Sequence, residues 1–279
     1  MTQDSATELR LTIWGARGAI PTPDRGNLGY GGNTTCLELR YPGAPLIIFD
    51  GGSGIRGLGT SLMSEFPDGG ECHVFFTHFH WDHIQGLPYF APVYHPGWTL
   101  NFHSAHEPAI LEGYLANQMC PPYFPVTIPV AQATVRYARM PATAKELGGV
   151  RLRQFPLQHP NGAHGYRIEA GGRVVVLAFD HEHGNETIDR GIVEQAAGAD
   201  LLIYDAQYSE AEYATHRGWG HSTWEQAVAV AKEAGVGQLV LFHHDPIHGD
   251  AAIARMVEQA RREFPATVAA TEGETFSFD

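Results

Sequence analysis

The sequence predicts an α/β fold in which two mixed β-sheets pack face to face and helices cover the outside, an αββα sandwich. Three observations predict it. Short apolar strands separated by glycine turns fill the first half, strands followed by helices fill the second half, and polar residues with metal-binding chemistry fall at strand ends. We expect residues 1–279 to form a single domain, because sandwiches of this length often fold as one unit.

In the first half, apolar runs bounded by glycine predict strands, and an amphipathic segment between the third and fourth strands predicts a helix. After Pro88 we expect one strand, one helix and an aromatic, proline-rich loop that resembles a lid or substrate wall. The predicted elements are strands at 9–16, 34–41, 46–52, 72–78 and 98–103, and helices at 55–66 and 108–118.

In the second half, longer helical patterns alternate with apolar strands. Ser222 or Thr223 is the expected N-cap of the helix that begins there. The predicted elements are strands at 150–157, 164–170, 173–180, 200–206 and 238–244, and helices at 188–197, 223–234 and 251–263.

The charge balance narrows the range of partners. There are 31 acidic and 18 basic side chains, and the formal net charge is -13. Such a protein repels extended polyanions, which argues against long nucleic acid and against an anionic membrane surface. A small anionic substrate is still compatible, because a bound dication dominates its own neighbourhood.

Cysteine usage and hydropathy indicate the compartment. The three cysteines, Cys36, Cys72 and Cys120, are widely spaced and odd in number, so they predict neither a disulfide framework nor a Cys-x-x-Cys metal knuckle. No stretch approaches the ~18 apolar residues that span a bilayer, and the first ten residues do not resemble a signal peptide. We therefore expect a cytoplasmic protein without a membrane partner.

The segment "FFTHFHWDH" places His78, His80, Asp82 and His83 directly after an apolar run. Four side chains of ligand type within six residues can surround one metal ion or straddle two, with little loop entropy lost. If the segment continues as a strand, His78 and His80 point to the same side. Burying these groups without a metal would leave unsatisfied donors and a costly carboxylate, so the pattern predicts a metal site.

The pattern His-x-His-x-Asp-His after a strand resembles the signature of the metallo-β-lactamase superfamily. Residues that match the later ligands of that family follow in order at strand ends: His159, Asp180 and His243. The resemblance implies the metallo-β-lactamase fold and two divalent metal ions. By the resemblance, His78, His80 and His159 hold one ion; Asp82, His83 and His243 hold the other; Asp180 bridges them; and Asp50 supports the site from behind.

Several assignments stay open at this point. His244 is the alternative to His243, and His164 is the alternative to His159. The roles of His181 and His183 are not assigned. Nitrogen and carboxylate ligands without thiolates suit Zn²⁺, with Mn²⁺ or Fe²⁺ as alternatives. A hydroxide that bridges two such ions is the expected nucleophile.

The segments "DLLIYDAQYSE" and "GWGHSTWEQA" resemble the ribonuclease Z and phosphodiesterase branch, where an acid at a strand end supports a histidine that opens a helix. This resemblance implies that Asp205 and His221 are catalytic, together with Asp82, which is also a predicted ligand. A carboxylate fixes the tautomer of its histidine, which then binds a phosphate oxygen or protonates a leaving alkoxide. A solvated histidine at a helix start is the alternative interpretation of His221.

The expected substrate is small. Lys145 is the only lysine before residue 232, and no basic, glycine-rich arm of the kind that holds transfer RNA in ribonuclease Z is present. We therefore expect a dinuclear phosphodiesterase that cleaves a small phosphodiester, such as a cyclic nucleotide. Tyr123 and Phe124 are candidates to stack on a base, with ordinary packing as their alternative role.

Two other functions stay open. The same metal ions would polarise the carbonyl of a lactone or a thioester. A metal-stabilised binding module without catalysis is the third hypothesis. Relatives in the phosphodiesterase branch are often dimers, so the resemblance also implies a homodimer.

Overall fold

The computed structural model describes residues 8–126 and 132–278, and all counts below refer to these residues. It contains two seven-stranded sheets. The strands are β1 (Leu9–Gly15), β2 (Cys36–Arg40), β3 (Leu46–Phe49), β4 (Glu71–Phe75), β5 (Thr99–Ser104), β6 (Thr134–Arg139), β7 (Lys145–Leu147), β8 (Val150–Leu157), β9 (Ala163–Ala170), β10 (Arg173–Ala178), β11 (Leu201–Asp205), β12 (Gln238–Phe242), β13 (Thr267–Ala269) and β14 (Thr275–Phe278).

Both sheets are mixed, and they share one arrangement. The first has the order β14-β1-β2-β3-β4-β5-β6, and the second has the order β13-β12-β11-β10-β9-β8-β7. In the first sheet, the pairs from β14 to β3 are antiparallel and the pairs from β3 to β6 are parallel. In the second, the pairs from β7 to β10 are antiparallel and the pairs from β10 to β13 are parallel. Each sheet therefore presents a row of carboxyl strand ends at one edge.

Helices cover the outer faces of both sheets. The α-helices are α1 (Ile55–Glu65), α2 (Trp81–Ile84), α3 (Pro108–Gln118), α4 (Glu186–Ala196), α5 (Glu210–Tyr213), α6 (Trp224–Ala234) and α7 (Asp250–Glu263). One apolar cluster, which includes Phe49, Phe75 and Phe242, fills the space between the sheets. A second cluster packs α4, α6 and α7 on the second sheet, and a third packs α1 and α3 on the first. The predicted αββα sandwich is confirmed.

Capping residues set the ends of the helix that precedes β12. The Thr223 hydroxyl accepts a hydrogen bond of 3.1 Å from the Gln226 amide, so Thr223 is the N-cap of α6, and Ser222 is not. Gly235 ends the same helix with φ at 64°, in the left-handed region that glycine adopts at low cost. None of the helices in the described chain is long and apolar enough to cross a bilayer.

Two differences from the sequence expectations concern the strands. Four strands were not predicted: β6 and β7 lie at outer edges of the sheets, and β13 and β14 are short segments near the end of the described chain. The predicted strand through His78 ends at Phe75. It ends there because the Asp50 carboxylate accepts the Thr77 amide at 2.8 Å, in place of a carbonyl from a neighbouring strand. The strand expected through His78 and His80 is therefore wrong, since His80 is the N-cap of α2, but the two imidazoles still lie on the same side, with ligand atoms within 4.8 Å of each other.

Candidate metal centre

The predicted site residues converge at the edge where the parallel strands of both sheets end. Asp50 and His78 follow β3 and β4 of the first sheet. Asp180 follows β10, Asp205 ends β11, and His243 follows β12 of the second sheet. In open α/β sheets, ligands bind outside the carboxyl ends of the strands. The fold therefore brings side chains that are distant in sequence to one place.

Backbone strain is concentrated at this place. Five non-glycine residues of the described chain have φ between 50° and 65°: Ala19, Asp50, Asn161, Asp180 and His243. L-residues adopt this region only when the surrounding structure enforces it, at a cost of order 1–3 kcal/mol each. Asp50, Asp180 and His243 lie at the strand ends just described. Ala19 donates its amide to Asp82 at 2.8 Å, and the Asn161 amide nitrogen lies 3.3 Å from His80 Nε2.

Asp180 is the centre of the arrangement. Its Oδ1 lies 3.2 Å from His243 Nε2 and 3.8 Å from the Nε2 atoms of His78 and His159. Its Oδ2 lies 3.1 Å from His83 Nε2. One carboxylate therefore faces histidines from both predicted ligand sets, as a bridging ligand must.

The first set consists of His78, His80 and His159, whose ligand atoms all lie within 4.8 Å of one another. The Thr77 hydroxyl donates its proton to Asp50, so it accepts from His78 Nδ1 at 3.0 Å. His159 Nδ1 lies 2.7 Å from the carbonyl of Gly220, which can only accept. Both rings are therefore held in the tautomer with an unprotonated Nε2; that of His78 has no hydrogen-bond partner, and that of His159 lies 2.9 Å from His80 Nδ1.

The second set consists of Asp82, His83, Asp180 and His243, all buried and with ligand atoms within the same 4.8 Å. His83 Nδ1 donates to Asp50 Oδ2 at 2.8 Å, and His243 Nδ1 donates to Gln207 Oε1 at 2.9 Å. Both rings consequently direct Nε2 toward the carboxylates. Oriented in this way, histidines gain basicity and bind metal with little reorganisation.

Three buried ligand atoms of the site have no hydrogen-bond partner, which fits the binding of two divalent cations. Among the described residues, His78 Nε2, His83 Nε2 and Asp180 Oδ2 are buried and have no hydrogen-bond partner. The 3.1 Å between His83 Nε2 and Asp180 Oδ2 is short, yet the two groups are not aligned for a hydrogen bond. Leaving such groups unsatisfied costs about 1–3 kcal/mol each. Nitrogen and carboxylate donors at this spacing match the chemistry of zinc, manganese or iron.

The pKa shifts of the histidines differ between the two ligand sets. Burial lowers the pKa of His159 to about 4 and holds that of His78 well below its usual value, so both imidazoles are neutral at neutral pH. Burial also lowers the pKa of His243, but Asp180 and Asp82 outweigh it and raise the value to about 9. Although burial raises the pKa of Asp180, His243 and His83 lower it well below its usual range. The first set is therefore ready to coordinate as neutral nitrogens, and the second provides ionised carboxylates.

The pair of Asp205 and His221 lies directly beside the two sets. His221 Nδ1 donates to Asp205 Oδ2 at 2.8 Å, and the other oxygen of this fully buried carboxylate accepts the amides of Gln207 and Ser222 at 3.1 Å. The His221 ring stacks on His243 at 4.7 Å between centroids. Its side chain is only 12% exposed, so the ring is not freely solvated.

The structure separates the alternatives that the sequence left open. His244 Nε2 donates to the Ala270 carbonyl at 3.0 Å, and neither His244 nor His164 belongs to the sets of close ligand atoms found among the described residues. His181 Nε2 donates to Asp189 at 3.0 Å, and His183 Nδ1 lies 2.8 Å from the Ser222 hydroxyl. His181 and His183 therefore contact α4 and the segment before α6, respectively, and lie outside the ligand sets.

Sequence reasoning missed the groups that act through the backbone or a neutral amide. The Ala19 amide, the Gly220 carbonyl and the Gln207 side chain each fix one site residue. Gln207 lies two residues after Asp205, and that spacing was the only signal for it.

A cavity of about 810 Å³ opens next to His78 and His80. Most of its remaining lining is aromatic or neutral: Phe79, Trp81, Ile84, Gln85, Pro88, Tyr89, His106, Tyr114, Asn117, Gln118, Tyr123, Phe124, Asn161 and Gly162. Tyr123 and Phe124 are thus both at the cavity, and Tyr123 is 79% exposed. Among the described lining residues there is no Lys, Arg, Asp or Glu.

Comparison with known proteins agrees with this geometry. A family profile described as the β-lactamase superfamily domain matches residues 47–244, well over half of the chain. Ribonuclease Z of Synechococcus sp. (strain WH7803) is 29% identical, over 95% of this chain and 94% of that protein. The metallo-β-lactamase fold protein YhfI from Bacillus subtilis superposes with a TM-score of 0.73 at 18% identity, over 98% of this chain and 100% of that one.

A diphosphatase from the PhnP family superposes with a TM-score of 0.68 at 19% identity, over 97% of this chain and 98% of that one. At these identities the two solved structures show the fold alone. The family profile covers every residue of the two ligand sets and the pair of Asp205 and His221. The chain therefore belongs to the metallo-β-lactamase superfamily, in the branch that resembles ribonuclease Z.

Proposed function

We propose that this protein is a dinuclear metal-dependent phosphodiesterase that hydrolyses a small phosphodiester, with cyclic nucleotides as the first candidates. One observation carries the proposal: the hydrogen-bonded pair of His221 and Asp205 lies beside two ligand sets whose histidines both face Asp180. A metal site alone would serve many hydrolyses. A histidine held in one tautomer beside it adds the proton donor that an alkoxide leaving group requires.

The residues that would hold the ions follow from the geometry. His78, His80 and His159 would hold one ion, Asp82, His83 and His243 would hold the other, and Asp180 would contact both. When bound, two divalent ions such as zinc, manganese or iron would supply positive charge for phosphoryl oxygens and make hydroxide available at neutral pH. Asp50 would keep His83 oriented toward the second ion.

His221 supplies the proton chemistry in this proposal. Because Nδ1 donates to Asp205, the other ring nitrogen is left to carry or release a proton. Protonated, it binds a phosphoryl oxygen or protonates the departing alkoxide; neutral, it accepts a proton in the next cycle. Asp205 holds the tautomer throughout, since its oxygens also accept the backbone amides of Gln207, Ser222 and His181 and have little freedom to rotate.

The cavity and the charge support a small substrate. The cavity described above offers exposed aromatic rings and no charged group other than histidine among its described lining. A planar, uncharged group such as a nucleobase can stack there, whereas an extended polyanion would meet a protein of net charge -13. The relative named ribonuclease Z acts on RNA by its name, so transfer RNA belongs in the test as a competing substrate.

The experiment is a substrate panel with the metal-loaded protein. It comprises bis(p-nitrophenyl) phosphate, 2′,3′- and 3′,5′-cyclic nucleotides, an acyl lactone, a thioester and a precursor transfer RNA. We expect turnover of the aryl diester and at least one cyclic nucleotide, with the highest kcat/KM in the panel for the cyclic nucleotide. Preferred cleavage of the lactone or thioester would support the carbonyl hydrolase instead, and preferred cleavage of transfer RNA would overturn the small-substrate proposal.

Three further expectations accompany the proposal: a cytoplasmic location, a homodimer and a single domain over residues 1–279. Sedimentation of the purified protein measures the second, and limited proteolysis measures the third. We expect a dimer and no stable half-length fragment.

A further inference from the structure

Glu182 contacts the loop that carries His221. It lies in the segment between β10 and α4, two residues after Asp180, and its carboxylate accepts three hydrogen bonds. Oε1 accepts the Tyr213 hydroxyl at 2.9 Å and the Gly218 amide at 2.6 Å, and Oε2 accepts the Gly220 amide at 2.8 Å. Both oxygens are therefore used on one loop, residues 214–222, which we call the His221 loop.

The His221 loop fixes a second site residue as well. The carbonyl of Gly220 accepts His159 Nδ1–H at 2.7 Å, and the His159 ring lies 5.1 Å from the ring of His221. The loop also packs tightly on His159, since a Cβ built on Gly220 would come 2.2 Å from His159 Nδ1. A shift of this loop would consequently move one ligand of the first set and the proton donor together.

Glu182 also bonds, through its backbone, the residue that precedes His159. Its amide donates to the carbonyl of Gln158, the residue before His159, at 2.8 Å. The strand end that carries His159 and the loop that covers it are thus both bonded to the same residue. A side-chain change at Glu182 leaves the backbone contact in place and tests the carboxylate alone.

Hydrogen bonds, rather than apolar packing, hold the tip of this loop. Gly218 and Gly220 have φ at 85° and 91°, a conformation open to glycine, and Trp219 between them is 61% exposed. An exposed side chain between two glycines buries little apolar area. The Glu182 carboxylate accepts two amides that are separated by one residue, and these charge-assisted hydrogen bonds therefore restrain the conformation of the tip.

We propose that Glu182 is a positioning residue: its carboxylate fixes the His221 loop so that His159 presents Nε2 to the first ligand set and His221 stays beside it. The part of this inference that concerns His221 rests on the proposed function. The part that concerns the loop and His159 stands without it.

The test compares Glu182→Gln with Glu186→Gln, a matched control on an exposed position at the start of α4. In Glu182→Gln, one oxygen becomes an NH₂ group that cannot accept an amide. In the metal-free protein we expect amide exchange of residues 214–222 to accelerate about tenfold, and the hydrogen-bonded Nδ1 proton of His159 to broaden in the NMR spectrum. The control should match the parent protein in both measurements.

The second measurement is zinc affinity by competition with a chelator. We expect Glu182→Gln to weaken one of two zinc sites by about 10-fold to 100-fold, because a residue that orients a ligand is lost. Tyr213→Phe removes one of the three donors and should give a smaller change in the same direction. The thermal midpoint of each variant, measured alongside, should stay close to that of the parent.

The third measurement is the ratio of turnover for a cyclic nucleotide to turnover for bis(p-nitrophenyl) phosphate. Glu182→Gln should lower this ratio about tenfold, since only the poor leaving group needs His221 in place. Exchange rates and zinc affinity equal to those of the control would overturn the inference. If the parent protein cleaves no phosphodiester, the proposed function fails, while the exchange and zinc measurements still decide the role of Glu182.

Discussion

Two groups of buried histidines in this protein have opposite surroundings. His73 and His103 lie on neighbouring strands β4 and β5, their rings stack at 5.1 Å, and His73 Nδ1 is 2.9 Å from His103 Nε2. His78, His83 and His243 instead direct Nε2 toward carboxylates at the strand ends. Burial of histidines is thus not what marks the candidate metal centre. The mark is convergence of oriented nitrogens on a shared carboxylate.

The pKa directions follow the same division. Burial lowers the pKa of His103 to about 3 and also lowers that of His73, and near His103 the positive Lys145 acts in the same direction. At the metal centre, Asp180 and Asp82 outweigh burial and raise the pKa of His243 to about 9. His73 and His103 therefore pack within the strands as neutral rings, whereas the strand-end group contains ionised carboxylates that can bind a cation.

Among the substitutions that test this comparison, Asp180→Asn should have the largest effect. Replacing Asp180 by Asn removes the charge that both ligand sets share, so we expect metal content to fall below two ions per chain and turnover to fall by about 10³-fold or more. Metal analysis and steady-state kinetics measure the two effects, with Asp68→Asn at an exposed position as the control. Full metal content in Asp180→Asn would contradict the role of Asp180 as the carboxylate that both ligand sets require.

His221→Gln should have the next largest effect. We expect two ions to remain bound, because His221 lies outside the two ligand sets assigned above, and turnover of cyclic nucleotides to fall about 10²-fold to 10³-fold. Turnover of bis(p-nitrophenyl) phosphate should fall much less, since nitrophenolate leaves without a proton. Equal losses for both substrates would remove the proton-donor role.

The third prediction concerns Asp50, a buried carboxylate that accepts His83 Nδ1–H at 2.8 Å, whereas the strand pair has only a half-exposed carboxylate, Glu71, at 3.4 Å from His73 among the described residues. The Asp50→Asn variant keeps a neutral acceptor for His83 Nδ1 but loses the charge, so we expect metal affinity to fall about 10-fold to 100-fold. Chelator competition measures it. An unchanged affinity would mean that the orientation of His83 does not depend on the charge of Asp50.

His103→Gln should leave metal content and turnover unchanged and should alter stability alone. The folded pKa of about 3 lies below the ordinary value of 6.5, so the unfolded chain takes up the proton first as the pH falls. The stabilisation is present above about pH 6.5 and declines toward pH 3, by about 1 kcal/mol between about pH 7 and pH 5.5.

The variant should therefore lose less stability than the parent over that interval. Urea unfolding at both pH values measures the difference, and activity assays run in parallel complete the comparison. A loss of metal or turnover in His103→Gln would contradict the structural role assigned to the strand pair.

Much of the candidate metal centre could be predicted from the sequence, because four of its ligands lie close together in the chain. Four ligand-type residues lie within the six positions from His78 to His83, and the resemblance then located His159, Asp180 and His243 at strand ends. The αββα architecture followed from apolar periodicity, which is strong in the central strands. The edge strands β6 and β7 carry a weaker apolar pattern, since their side chains are less buried, and this pattern did not predict them.

Other contacts depend on the folded backbone and leave no pattern in residue types. The Gly220 carbonyl and the Ala19 amide reach the site only because their loops take left-handed conformations. Glu182 is one of 31 acidic residues, and the residue types next to it in the sequence do not indicate that it accepts two backbone amides. The position of His80 was also beyond the sequence, because the Asp50 carboxylate ends the strand pattern before it.

The origin of the ligands from both sheets has a consequence for folding. Neither half of the sandwich carries a complete set, so high metal affinity develops only once the two layers have docked. Ion binding would then favour the docked state by mass action and join the β4 and β10 halves of the molecule. Metal supply during synthesis would thereby influence the amount of folded protein in the cell, as well as its activity.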